Sequence, residues 1–154
     1  MLLIDIEPGD PRLISDVLPV LNELRPKLTA DSFREIYDEG HPQGLRFLAA
    51  YPEDGQCAGV AGWRIFATTT AGRKLYIDDL VTADAHRSKG IGAALLSELA
   101  ARAKAAGCPI LDLDSGTWRK DAHRFYMREG LPITAFHFTL DLTDRVLGEL
   151  TTHE

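Results

Sequence analysis

The segment best equipped for chemistry is Arg87-Ser88-Lys89-Gly90-Ile91-Gly92, a basic, glycine-bearing turn ahead of an alanine- and leucine-rich stretch. A helix start offers backbone N–H groups without intrahelical partners and the positive end of a dipole. Glycines let such a backbone approach a diphosphate closely, and Arg87 and Lys89 add charge where phosphates would lie. Two phosphate-binding patterns fail here. The dinucleotide turn G-x-G-x-x-G/A meets Leu95 at its third small position. The G-x-x-x-x-G-K-S/T loop does not occur. A helix start whose glycines serve packing stays open beside a ligand turn.

The adjacent carboxylates Asp78 and Asp79 are candidate bases or amine-binding groups. Successive strand residues point to opposite faces, so only one can face a site unless the strand bulges. The other needs a partner, for which Arg64 and Lys74 are available. His123 and His137 raise the question of a metal. With two cysteines, Cys57 and Cys108, and no H-E-x-x-H, no metal is expected. Asp112, Asp114, Ser115 and His123 hold the residue types of a hydrolytic triad but lack the G-x-S-x-G elbow.

These residues need elements to hold them. Leu2–Ile6 reads as a strand, stopped by Pro8-Gly9. Asp10-Pro11 opens a helix with apolar positions from Leu13 to Leu28 at spacings of three and four, and Pro19 predicts a kink or break in it. Asp31-Ser32 can cap a second helix, Phe33–Glu39. Leu45–Tyr51, Gln56–Ala67 and Arg73–Thr82 read as an antiparallel meander joined by short polar turns. The helix after the glycine turn ends at Gly107, and Pro109–Asp114 is a strand parallel to its predecessor. Ser115 to Thr117 can cap a helix from about Trp118 to Arg128. Ile133–Leu142 reads as a last strand, and Asp144–Glu154 as a polar tail. The order β-α-α-β-β-β-α-β-α-β makes a single mixed α/β domain over residues 1–154, without repeats or linkers.

Composition narrows the function. The chain has 154 residues, 45% hydrophobic and 26% charged, which fits one soluble globular domain. Seventeen basic against 23 acidic residues give a net charge of −6. That argues against a nucleic-acid binder, whose affinity rests on phosphate contacts. The N-terminus lacks the basic and apolar regions of a signal peptide, and no apolar run approaches the ~20 residues of a membrane span. A cytoplasmic single domain without membrane partners is expected.

Arg87-x-x-Gly90-x-Gly92 resembles the Q/R-x-x-G-x-G/A acyl-CoA turn of the GNAT N-acetyltransferase family at every fixed position. Tyr76-Ile77-Asp78-Asp79-Leu80-Val81 resembles that family's fourth strand, and His123 to Gly130 its late FY-x-x-x-G helix end. Its polyamine acetyltransferases carry a similar Tyr-Leu-Glu-Asp strand before the turn. The resemblance covers about Gln56 to Leu140; earlier residues fit only in the order of their elements.

The resemblance implies a mostly antiparallel sheet with one parallel pair splayed around the acyl-CoA slot. It implies acetyl-CoA as cosubstrate, with the pyrophosphate on Arg87, Ser88, Lys89, Gly90, Ile91, Gly92 and Ala93. The pantetheine would pair with the backbone of Leu80, Val81 and Thr82, one N–H polarising the thioester carbonyl. Tyr126 falls at the place of the thiolate-protonating tyrosine; a phenol pKa of about 10 suits that donor. Asp78 and Asp79 stand in the Glu and Asp places, with Asp78 favoured as the site residue by alignment. Arg119 departs from a common Asn that contacts the cofactor arm, and could contact a phosphate or the substrate. The implied reaction is direct attack of a primary amine on the thioester, and the acidic balance with the Asp pair favours a small cationic amine. A homodimer is frequent in the resembling family. Competing readings are a protein lysine or N-terminal acetyltransferase, a non-catalytic acyl-CoA sensor or interaction domain, and, more distantly, a nicotinamide enzyme.

Overall fold

A computed structural model describes residues 1–143 of the chain. Residues Met1–Thr117 form one compact unit, and a second begins at Trp118. The first unit is built on a five-stranded sheet in the order β1-β2-β3-β4-β5. The strands are β1 Leu2–Ile6, β2 Arg46–Tyr51, β3 Gly59–Thr68, β4 Gly72–Thr82 and β5 Ile110–Leu113. Pairing is antiparallel from β1 to β4 and parallel between β4 and β5. Parallel strands need a crossover element. Here it is α3, Ile91–Ala105, so β5 runs with β4 as the sequence predicts.

The strands alternate two apolar faces. Phe47, Val60 and Val81 join one core cluster with Val17, Leu21, Phe33 and Tyr37 of the N-terminal helices. Leu75 and Ile77 alternate away from Tyr76 and are buried on the face where α3 packs against β3 and β4. The contact there is close. A Cβ at Gly59 would lie 2.5 Å from Ile91 Cγ2, at the first turn of α3. Gly59→Val is therefore expected to cost about 1–3 kcal/mol by overpacking, measured by urea unfolding with an unchanged m-value.

The N-terminal helix changes character just before Pro19, where a kink or break is predicted, and it ends short of Leu28. Leu13–Val17 form a π-helical turn, and α1 is Leu18–Leu24 with Pro19 in its first turn. Pro19 lacks the N–H that would donate to the preceding turn, so the α-helical ladder is interrupted where the π-helical turn passes into α1. Leu28 lies beyond the helix, since Arg25 precedes Pro26 and takes φ −123°, ψ 74°. The second helix, α2 Ala30–Gly40, is capped one turn earlier than predicted: Thr29 accepts from the Ser32 N–H, and Ser32 Oγ accepts from the Thr29 N–H.

In the second unit α4 spans Lys120–Arg128, starting at Arg119 without the predicted Ser115–Thr117 cap. Gly130 follows at φ 91°, as a helix stop requires. The last strand, predicted at Ile133–Leu142, does not form: residues 131–143 carry no ladder, and Phe136 and Phe138 are 86% and 92% exposed. Alternation supplies a strand's faces but not the partner for its backbone N–H and C=O groups, and without that partner there is no strand. The tail from Asp144 lies outside the described residues.

Candidate functional site

β4 pairs with β5 only from Lys74 to Ile77, but runs on to Thr82 with β3 alone as its neighbour. The backbone of Asp78 to Thr82 therefore has an edge that no strand of the sheet occupies. Leu80, Val81 and Thr82, singled out by sequence, lie along this edge. The chain then makes a short 3₁₀ turn, Asp84–His86, and enters the basic turn.

Two residues of that turn are left-handed, Ser88 at φ 61° and Gly90 at φ 80°. Among the described residues Ser88 is the one non-glycine at positive φ. Such strain persists where surrounding structure enforces it, and it concentrates at ligand sites. Gly90 is the N-cap of α3 and no side chain caps the helix, so the first-turn amides of Ile91, Gly92 and Ala93 are left to a ligand or to water. Left-handed residues beside a helix start make an anion-binding concavity. Arg87 meets Asp84 at 2.8 Å, both well exposed, a pairing worth little that leaves the guanidinium available. This donor set fits a diphosphate. Buried His86 anchors the turn from beneath, its Nε2 lying 2.9 Å from Asp54 Oδ2. Sequence reasoning missed His86, since a lone histidine before a basic run carries no pattern.

On the opposite face, β4 carries a bulge. Trp63 is opposite Ile77 while Gly62 is opposite Asp79, so Asp78 is the extra residue. The bulge resolves the alternation conflict between the two aspartates. Both line a cavity of about 620 Å³ bounded by α1, α2 and the loop between them. Asp78 forms a two-point pair with Arg64, at 3.0 Å to Nε and 2.9 Å to Nη2. Asp79 accepts through Oδ1 from Arg25 Nε at 2.9 Å and Nη2 at 2.7 Å. Burial pushes the Asp79 carboxyl above the usual aspartate range, and the Arg25 guanidinium opposes that shift. Burial thus singles out Asp79, whereas alignment favours Asp78 as the site residue. Arg64 is the partner the sequence suggested; Lys74 instead pairs with Asp112 at 3.0 Å. Arg25, set by the break before Pro26, was not foreseen.

Gly62 makes room for this arrangement. A Cβ there would sit 2.9 Å from Phe47 Cε1 and 3.2 Å from Asp79 Oδ2. Gly62→Ala is expected to displace the Asp79 carboxylate and lower kcat/KM by about 10-fold or more, as ångström-scale misplacement does. A far-UV spectrum like that of the unmodified protein would show that the fold survives.

Two of the residues considered for hydrolysis are otherwise engaged. Asp112 pairs with Lys74, and Asp114 accepts from the Tyr76 hydroxyl at 2.8 Å. In the second unit, Tyr126 is the buried residue of α4. Burial raises its phenol above the ordinary value, with the Arg119 charge two turns earlier acting the other way. The phenol therefore keeps its proton at neutral pH and has a cation on its own side of the helix to stabilise the anion.

Residues 12–131 match the family model described as "Acetyltransferase (GNAT) family". YhdJ of Bacillus subtilis, named an uncharacterized N-acetyltransferase, is 33% identical over 121 residues, 78% of this chain and 85% of that protein. The aminoalkylphosphonate N-acetyltransferase of Salmonella typhimurium is 40% identical over 63 residues, 41% of each chain. Among solved structures, a Trypanosoma brucei acetyltransferase matches with a TM-score of 0.73 at 26% identity, covering 92% of this chain and 99% of that one.

Proposed function

The chain belongs to the GNAT acetyltransferase family, and from that premise we propose that it acetylates a small primary amine, with acetyl-CoA as cosubstrate. The observation that carries this is the juxtaposition at β4. Its unpaired edge leads into an uncapped, basic helix start, and its bulge turns two carboxylates into a cavity on the other face.

The turn Arg87–Ala93 holds the diphosphate through backbone N–H groups, with Arg87 and Lys89 adding charge. The edge at Leu80, Val81 and Thr82 receives the amide-bearing arm as an added strand, and Arg119 is assigned a contact with the cofactor or the substrate by its place in the family motif. Bound acetyl-CoA supplies the acyl thioester. Asp79 takes the proton that an ammonium must lose before it can attack, directly or through one water. Asp78, held by Arg64, keeps a second carboxylate beside the amine. An N–H near Leu80 or Val81 stabilises negative charge on the carbonyl oxygen. Tyr126 keeps its proton until the thiolate needs it. Tyr126→Phe preserves the packing and is expected to lower kcat by about 100-fold with KM little changed, read from initial rates. The exposed Ile133, Phe136, Phe138 and Leu140 support a homodimer, since a second copy would take these large apolar side chains out of water; light scattering of the full chain checks it.

Calorimetric titration with acetyl-CoA, dephospho-CoA and NADH tests the reading. Micromolar acetyl-CoA binding without NADH binding is expected. Absence of acetyl-CoA binding would leave Arg87–Gly92 as an ordinary helix start.

A further inference from the structure

The acceptor cavity is not the acidic pocket that an Asp pair suggests. Each aspartate is matched by an arginine, Asp78 by Arg64 and Asp79 by Arg25. The cavity also takes in Lys27, an exposed cation that forms no ion pair among the described residues. Its charged lining is therefore three cations against two carboxylates. The remaining walls are largely apolar, with Leu21, Leu28, Phe33 and Phe47 among them. A polycation entering here would add charge to a cavity already cationic, and would lose solvation without gaining a free carboxylate.

We infer that the acceptor is a zwitterionic amine: a primary amine with an acidic group a few bonds away and an apolar body. This rests on the acetyltransferase reading above. The Arg25–Asp79 pair is the recognition element. An incoming ammonium replaces Arg25 on Asp79, and the ligand's own acid replaces Asp79 on Arg25. One ion pair becomes two of the same kind, each short and charge-assisted. Lys27 lies two residues from Arg25 on the same loop and adds the surplus positive charge. Once the amine has given its proton to Asp79, the ligand carries a net negative charge and meets a lining whose net charge has risen from +1 to +2. The apolar body fills the space between the leucines and phenylalanines, where burial contributes about 25 cal/mol per Å².

Four amines test this at saturating acetyl-CoA, with free thiol release as the readout. They are phenylalanine, its phosphonate analogue 1-amino-2-phenylethylphosphonate, 2-phenylethylamine and spermidine. Rates are compared per unit of unprotonated amine. Phenylalanine, the phosphonate or both are expected to exceed phenylethylamine in kcat/KM by about 10-fold or more, as fits one charge-assisted contact. Which of the two is faster identifies the acid. Lys27→Gln and Arg25→Gln are each expected to shrink the ratio of acid-bearing to plain amine, a readout in which losses common to both cancel. Equal or faster transfer to phenylethylamine or spermidine overturns the inference while acetyl transfer stands. An unchanged ratio in both variants overturns it too. Transfer to none of the four overturns it, and if acetyl-CoA also fails to bind, the acetyltransferase reading falls with it.

Discussion

Gly92→Glu is expected to weaken acetyl-CoA binding by at least about 100-fold, or 2.7 kcal/mol, with little change in thermal stability. Gly92 is in the first turn of α3, two residues after the left-handed cap at Gly90. A glutamate there puts a carboxylate where the diphosphate must lie, and like charges across an interface cost several kcal/mol (roughly 3 or more). The same substitution suits the free helix, because an acidic residue in the first turn complements the dipole. Binding and stability therefore move independently. Arg87→Ala removes only an exposed contact and is expected to weaken binding by about 10-fold or less. Calorimetry gives the affinity and a thermal scan the stability. If the turn were merely structural, neither substitution would change acetyl-CoA affinity.

Asp79→Asn carries the second large effect, a fall in kcat/KM of about 1,000-fold, within the range for loss of a general base. Its stability effect has the opposite sign from that of an ordinary salt-bridge deletion. The folded protein holds the Asp79 proton more tightly than the unfolded chain, because burial raises the carboxyl and Arg25 only partly compensates. The stability linked to this group is fully present below the ordinary aspartate pKa of about 3.9. It is lost as pH rises through the raised folded value. At neutral pH the ionised carboxylate costs stability, and asparagine removes that cost. Arg25 is 54% exposed and stays solvated without its partner. Asp79→Asn is therefore expected to melt at or above the temperature of the unmodified protein at pH 7, while at pH 3.5 the difference narrows. It should also abolish the acid limb of the kcat/KM profile, which lies above the usual aspartate range. A variant with full activity and a lowered melting temperature would make Asp79 a structural ion pair.

Much of this arrangement was legible in the sequence, because the chemistry of the glycine turn is local. Gly90 and Gly92 announce a helix start that backbone can approach, and Gly107 its end. The meander and the crossover followed from strand periods and turn lengths. The acceptor side was less legible. Asp78 and Asp79 were visible as a pair, but their shared face depends on a bulge opposite Gly62, and nothing in the local pattern of β4 encodes that register shift. Arg25 reaches Asp79 across 54 positions, from a helix end set by Pro26. Such a contact is long-range and leaves no spacing to read. The acidic bias of the whole chain misleads for the same reason, since it cannot show which charges are already matched inside the cavity. Ile133–Leu142 failed differently: the alternation is present, but the ladder partner is not.

The most direct test of the central claim is a mass balance on one reaction mixture. Enzyme, acetyl-CoA and the four amines are incubated together, and released CoA thiol and N-acetylated amine are quantified in parallel. The account predicts thiol and N-acetyl product in equal amounts, both reduced by about 100-fold in Tyr126→Phe. Tight acetyl-CoA binding with neither product, or thiol release without any acetylated amine, would contradict it.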